Sequence, residues 1–281
     1  MQIKLIDLKT FKKVAGLFVG NYKTKFHGSG IEFKDLKEYS FWDEIRSIDW
    51  LSSAKTGKML TKKYEEEREI TAIFGLDIWE NMLFGIDKPK IDTLLETFLI
   101  LGFSSLKNND KIWAYFFGNK IVKKMPERKW KDNLWHIIWK IIENKELAKN
   151  TNGNSNVNVL LEELFKKRTK NSFIFILSDE FENINEKYVK ILATKNNFVY
   201  INIFDEFENT LWKNWVYNFV WWNDKNLVNI KDWKRKTAYI NQRKENLEKF
   251  KKMIFASSWK YLELTDKTNI YKELFMFFKK G

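Results

Sequence analysis

Four short apolar runs, at 70–76, 112–117, 172–177 and 198–204, are rich in β-branched and aromatic residues and bounded by polar ones. Continuous apolarity over so few residues predicts strands buried on both faces. Between them the apolar spacing becomes helical. The stretch 91–106 places Leu94, Leu95, Phe98 and Leu101 on one face, 134–142 and 157–165 repeat that spacing, and 185–193 follows. Strands alternating with helices predict parallel β-α-β crossovers and a sheet covered on both faces.

The flanks read differently. Residues 46–55 and 58–66 suit two extended arms joined by a turn at Thr56 and Gly57, which predicts a β-hairpin ahead of the sheet. The charge run at 65–69 suits a solvated edge. The polar stretch 149–158 reads as a loop between two helices. Near the end, 215–230 suits a second hairpin turning at Asn223, Asp224, Lys225 and Asn226, followed by helices at about 237–255 and 267–279.

A chain of 281 residues, 44% hydrophobic and 17% aromatic, has ample material for one α/β domain with an appendage or for two modest domains. No run approaches the ~18 apolar residues of a membrane span, and the first residues lack the apolar core of a signal peptide, so the cytoplasm is the expected compartment. The absence of cysteine excludes disulfides, thiolate zinc sites and a cysteine nucleophile, and His27 and His136 are isolated. A net charge of +13 invites a nucleic-acid reading. Its make-up favours a compositional origin, because lysine rather than the phosphate-reading arginine supplies most of it.

The order of residues across 28–77 is more particular than packing requires. Gly28, Gly30, Glu32 and Phe33 are followed by Lys37 and Tyr39, then by Asp43, Arg46, Ile48, Asp49 and Trp50, then by Ser53, Ala54 and Lys55, and an apolar strand ends at Asp77. This order resembles the bacterial domain-of-unknown-function family 58, whose members are von Willebrand factor A-like and are commonly encoded beside MoxR-type AAA+ ATPases. The resemblance implies a von Willebrand A-like, Rossmann-like parallel sheet at 70–281, with a Trp-rich hairpin at about 212–235, preceded by a family-specific β-rich segment at 1–69. It also implies a non-enzymatic scaffold that assists an AAA+ ATPase in assembling or maturing other proteins. Lys37 and Lys55 stand where the family usually has arginine, and Trp42 where it has glycine.

Within the motif, Glu32 and Asp43 are available to pair with Lys37 or Arg46, and Asp43 or Asp49 is the nearest partner for the Arg46 fork. Glu32, Lys37, Tyr39, Asp43, Arg46, Asp49 and Trp50 either fix the appendage in a polar network or form a recognition surface for a partner. At the sheet edge the resemblance implies a Mg²⁺ site, onto which Asp77, Ser155 and Asp179 map. Its two serine positions fall on Trp79 and Asn81, so the site is weakened. The other reading is that Asp77 and Asp179 cap helix starts or bind water.

Other matches fail on chemistry. The phosphate-loop-like ending of 52–59 lacks its leading glycine and has Met59 where a hydroxyl should bind magnesium. A dinucleotide reading of 28–30 fails because no β-α unit follows, and Ser178 with His136 lacks the nucleophile elbow. Trp212, Trp215, Trp221, Trp222 and Trp233, interleaved with Lys213, Lys225, Lys231 and Lys234, suit hairpin packing or protein docking, with base stacking as the alternative.

Overall fold

The computed structural model describes residues 30–67, 71–108, 110–128, 131–147, 155–210, 217–218, 227–228 and 233–280. Its centre is a six-stranded sheet of β3 (Thr71–Asp77), β4 (Lys111–Phe117), β5 (Ile121–Arg128), β6 (Ser172–Ser178), β7 (Asn197–Ile203) and β10 (Lys260–Leu264). The order is β10-β7-β6-β3-β4-β5, with every neighbour parallel except β4 and β5. The helix-covered α/β sheet implied by the resemblance is therefore present.

Alternation along each strand divides the core into two layers. On β3, Ala72, Phe74 and Leu76 face α2 (Lys90–Lys107), α3 (Lys131–Leu147) and α8 (Ile270–Lys280). Ile73 faces α4 (Val157–Lys166), α5 (Glu186–Ala193) and α7 (Trp233–Ala256). Phe74 stacks on Phe175 at 5.1 Å and meets the Phe98 edge at 5.0 Å, which pins α2 to the two central strands. On the opposite face, a Cβ at Gly75 would lie 2.2 Å from Leu160 Cδ2, so α4 reaches the sheet only because β3 has no side chain there.

Two strands escaped the apolar-run criterion. β5 contains Lys123, Lys124 and Pro126, a polar edge that cannot extend the sheet by simple pairing. β10, at the other edge, is short and only alternately buried.

Ahead of the sheet, β1 (Gly30–Glu38) pairs antiparallel with β2 (Leu60–Glu67), with a register shift between Phe33 and Asp35. The expected hairpin exists, but its first arm is β1 rather than 46–55. That stretch instead forms a 3₁₀ turn at Ile45–Ser47 and the helix α1 (Trp50–Thr56). The local chemistry explains the difference. Asp49 caps the helix by accepting the Ser52 N–H at 3.1 Å, and Gly57 ends it in the left-handed conformation at φ 69°. Gly28 lies outside the described residues. The short strands β8 (Tyr217–Asn218) and β9 (Leu227–Val228), preceded by α6 (Glu206–Thr210), pair antiparallel, and the turn expected at Asn223, Asp224, Lys225 and Asn226 lies outside the described residues. Trp212, Trp215, Trp221 and Trp222 lie outside the described residues.

Gly75→Ala is expected to cost about 1–3 kcal/mol by overpacking. Leu160→Ala should cost less in that background than in the wild type, a coupling measurable by a urea double-mutant cycle.

Candidate functional site

Strand order reverses between β3 and β6, since the chain leaves β3 toward β4 and leaves β6 in the opposite direction toward β7. Such a reversal opens a crevice beyond the carboxyl ends of the two strands. Asp77 ends β3 there, and Asp179 follows the last residue of β6.

Asp77 is wholly buried. Its Oδ2 accepts the Ser178 hydroxyl at 2.6 Å, and its Oδ1 accepts the Trp79 N–H at 3.1 Å. Ser178 Oγ in turn accepts the Glu180 N–H at 3.0 Å. Asp179 accepts the Asn81 amide on one oxygen at 3.0 Å and the Lys90 ammonium on the other at 2.5 Å. Lys90 also donates to Glu208, whose second oxygen accepts from Arg243 at 2.9 Å. One buried chain of alternating charge thus joins the end of β6 to the first residue of α2, to α6 and to α7. Asp205, at the end of β7, accepts the Ile86 and Phe207 N–H groups, each at 2.8 Å, and so ties the loop before α2 to the start of α6.

Burial, reinforced by the nearby Asp179 charge, pushes the Asp77 carboxyl up to about 7. Glu180 is pushed up to about 8 for the same two reasons. Burial opposes the charge on Lys90, yet Asp179 and Glu208 together hold its ammonium above the ordinary lysine value. Glu208 is held below the carboxylate range because Lys90 and Arg243 outweigh its desolvation.

The structure brings Asp77, Asn81, Ser155 and Asp179 to one crevice. The Ser155 hydroxyl is close enough to favour the Asp77 anion, although it lies outside hydrogen-bonding geometry. The arrangement nevertheless does not fit a magnesium ion. Mg²⁺ requires a near-octahedral set of oxygens. Asp179 is engaged on both oxygens, one of them by a cation, and Asn81 turns its NH₂ rather than its carbonyl toward it. Where a serine ligand would stand, the Trp79 indole is buried so tightly against Gly118 that a Cβ there would lie 2.0 Å from Trp79 Cε3. Asp77 and Asp179 are not helix caps either. They close a local turn and an ion-pair network.

Lys90, Glu208 and Arg243 were not singled out from sequence. Their contacts to one another and to Asp179 span 35 to 118 residues. One local signal existed, because a lysine opening a helix opposes the helix dipole and so points to an anion nearby.

The motif residues gather on the N-terminal hairpin and the segment between its two strands. Lys37 pairs with Asp43 at 2.5 Å, and Asp43 also accepts the Ser40 N–H at 2.9 Å. Those two contacts, Lys37 first, hold the Asp43 carboxyl below its usual value. Tyr39 bonds through its backbone N–H to the Met59 carbonyl at 2.8 Å. Asp49 caps α1 and lies 3.8 Å from Lys62. The expected pairing of Arg46 with Asp43 or Asp49 does not form, because those carboxylates are taken by nearer lysines and backbone N–H groups. Arg46 and Trp50 are exposed. Glu32 belongs to β1, but its side chain lies outside the described residues.

The family profile described as "Protein of unknown function DUF58" matches residues 35–246, and the chain belongs to that family. No curated protein matches it. Among solved structures, BatB from Bacteroides thetaiotaomicron is similar at a TM-score of 0.43 and 10% identity, over 75% of this chain and 98% of that one. The SpRpn10 VWA domain is similar at 0.38 and 10% identity, over 73% and 93%. An uncharacterized membrane spanning protein from Vibrio fischeri is similar at 0.22 and 11% identity, over 76% and 98%.

The raised carboxyls set a pH dependence of known sign. An acid whose folded pKa exceeds its unfolded value of ~4 favours the fold below ~4 and loses that contribution as pH climbs through its folded value. For Asp77 and Glu180 the loss extends to about 7 and about 8. The urea midpoint is expected to fall between about pH 5 and about pH 8, and Asp77→Asn should flatten part of that fall. An equal fall in the variant would show that Asp77 is not the titrating group.

Proposed function

We propose that this protein is a non-enzymatic interaction scaffold whose docking face is the apolar tip of its N-terminal hairpin. The partner implied by the family resemblance is a MoxR-type AAA+ ATPase acting in the assembly or maturation of other proteins. The observation that carries this reading is exposure. Phe41 and Trp42 are 85% and 91% exposed, Ile45, Trp50 and Leu51 lie between 65% and 69%, and Met59 is at 50%. Single exposed apolar residues are ordinary, whereas several large ones concentrated between two strands mark an interaction surface.

Charge near the tip supports a protein partner over a polyanion. Lys37, Lys58 and Lys62 are each met by a carboxylate of the same appendage, Asp43, Glu38 and Asp49 respectively. Phosphate binding depends on cations that can release counterions. Cations already paired internally contribute less to it, while the apolar side chains beside them remain in water. Aromatic anchors of this kind dominate protein interfaces. Internal engagement of the sheet-edge carboxylates supports a structural role for them over acid–base turnover. No helix among the described residues is long and apolar enough to cross a membrane, and we assign the scaffold to the cytoplasm.

Affinity capture of the tagged protein from its native organism should recover a MoxR-type ATPase. Phe41→Ser with Trp42→Ser should cut that recovery at least ~10-fold without changing the circular dichroism spectrum. Undiminished recovery would remove the tip from the interface, and wild-type captures without any ATPase would end the ATPase assignment. Salt-dependent DNA binding in place of protein capture would favour the nucleic-acid reading.

A further inference from the structure

Arg46 lies within the exposed apolar segment of the hairpin, in the 3₁₀ turn Ile45–Ser47, with Ile45 before it and Trp50 opening α1 after it. We propose that Arg46 is the specificity-determining residue of that docking face, and that its guanidinium fork receives an aspartate or glutamate carboxylate flanked by apolar side chains on the partner protein. This rests on the reading of the tip as a docking face and adds to it the chemistry of what docks. Three features carry it.

The first is the charge left over. Asp43, Glu38 and Asp49 meet Lys37, Lys58 and Lys62, and Lys55 lies in the last turn of α1, where a cation complements the helix dipole. Arg46 is exposed and has no ion-pair partner among the described residues, Glu44 two positions earlier included. The second is the type of side chain. Of the 50 basic residues only Arg46, Arg68, Arg128, Arg168, Arg235 and Arg243 are arginine, so lysine is this chain's ordinary cation where charge alone is needed. A guanidinium differs in its planar fork, which grips a carboxylate through two parallel N–H groups and stacks on aromatic rings. Arg243 uses the same chemistry inside the protein, meeting the Glu208 carboxylate at 2.9 Å and lying 5.0 Å from the Phe181 ring centre. Arg46 offers that group to solvent, within a segment that also exposes Phe41, Trp42 and Trp50.

The third is rigidity. The Ser47 N–H and hydroxyl both donate to the Glu44 carbonyl, at 2.9 and 2.6 Å, and the Ile48 N–H donates to the Ile45 carbonyl at 3.2 Å. Ile48 is buried and bridges Thr61 of β2, and the Asp49 N–H donates to the Leu60 carbonyl at 2.9 Å. The backbone that carries Arg46 is therefore set before a partner arrives, which lowers the ordering entropy lost on binding. Arginine and tryptophan held in this way are the composition of interface hot spots. A carboxylate is the fitting anion, because polyphosphate binding needs several available cations and the lysines nearby are already paired.

The probe is a random-peptide phage library panned on the immobilised wild-type protein and counter-selected on the Phe41→Ser, Trp42→Ser variant. Enriched peptides are expected to carry Asp or Glu within about two positions of an aromatic or leucine side chain. A synthetic enriched peptide should bind Arg46→Gln about 10-fold more weakly than wild type, and Arg46→Lys nearly as weakly, because an ammonium keeps the charge without the fork. Changing the peptide's acid to its amide should cost the wild type the same factor and Arg46→Gln little more. Enriched peptides without an acid would overturn the proposal while leaving the docking face in place. Full affinity in Arg46→Gln or Arg46→Lys, with binding still lost in the Phe41 and Trp42 variant, would do the same. Panning that yields no peptide dependent on Phe41 and Trp42 would remove the docking face and this assignment with it. Single-stranded DNA that binds the wild type and loses that binding in Arg46→Gln would assign the group to phosphate and overturn the proposal as well.

Discussion

Carboxylates that end neighbouring strands of a parallel sheet meet in one buried crevice, and each must be matched by a proton or a cation. In this protein Lys90 supplies the cation for Asp179, while burial favours a proton on Asp77. Lys90 lies between Asp179, just after β6, and Glu208 in α6, while Glu208 is held from its other side by Arg243 of α7. Four elements distant in sequence are thereby fixed at one point. Breaking such a pair by removing one member costs roughly 3–5 kcal/mol, because the remaining charge is stranded. That is a large fraction of the ~5–15 kcal/mol that separates folded from unfolded chains. The network therefore decides how α2 enters the sheet, and the Phe74, Phe98 and Phe175 contacts then complete the layer.

The sheet was legible because burial on both faces leaves an unbroken apolar run, and all four strands found that way are the central ones. Edge strands carry the opposite signature. β5 has lysines and a proline because one of its flanks must stay unpaired, so the residues that protect the edge also hid it. The misassigned stretch 46–55 shows a different limit. The turn at Thr56 and Gly57 suggested an extended arm before it, but Asp49 with Ser52 at one end and Gly57 at the other are helix punctuation, and seven residues between two stops leave room for one short helix.

The candidate site was half legible for a related reason. Asp77 and Asp179 follow apolar strands and announce themselves, and the resemblance located Asn81 and Ser155. Lys90 contacts Asp179 across 89 residues and Glu208 across 118, distances over which no periodicity carries information. Trp79 departs from the ligand pattern, since an indole offers no ligand oxygen. Its reason emerges only in three dimensions. The ring fills space against Gly118, and its backbone N–H serves Asp77.

Polar residues thus do opposite work at the sheet edge and on the N-terminal hairpin. At the sheet edge they are buried, and their strength comes from the low dielectric that makes an unmatched charge costly. On the hairpin they are solvated, and Lys37 with Asp43 or Lys58 with Glu38 contributes little free energy as an exposed pair. What such exposed pairs do is offset charge within the segment that carries Phe41 and Trp42. A metal-bridged edge would gate docking by ion concentration, because the ion would complete its shell with a partner's carboxylate. An ammonium attached to the chain cannot leave, and at 3% exposure it presents nothing to a partner. With the edge sealed in this way, the surface proposed for docking is the one that remains apolar and open, the hairpin tip.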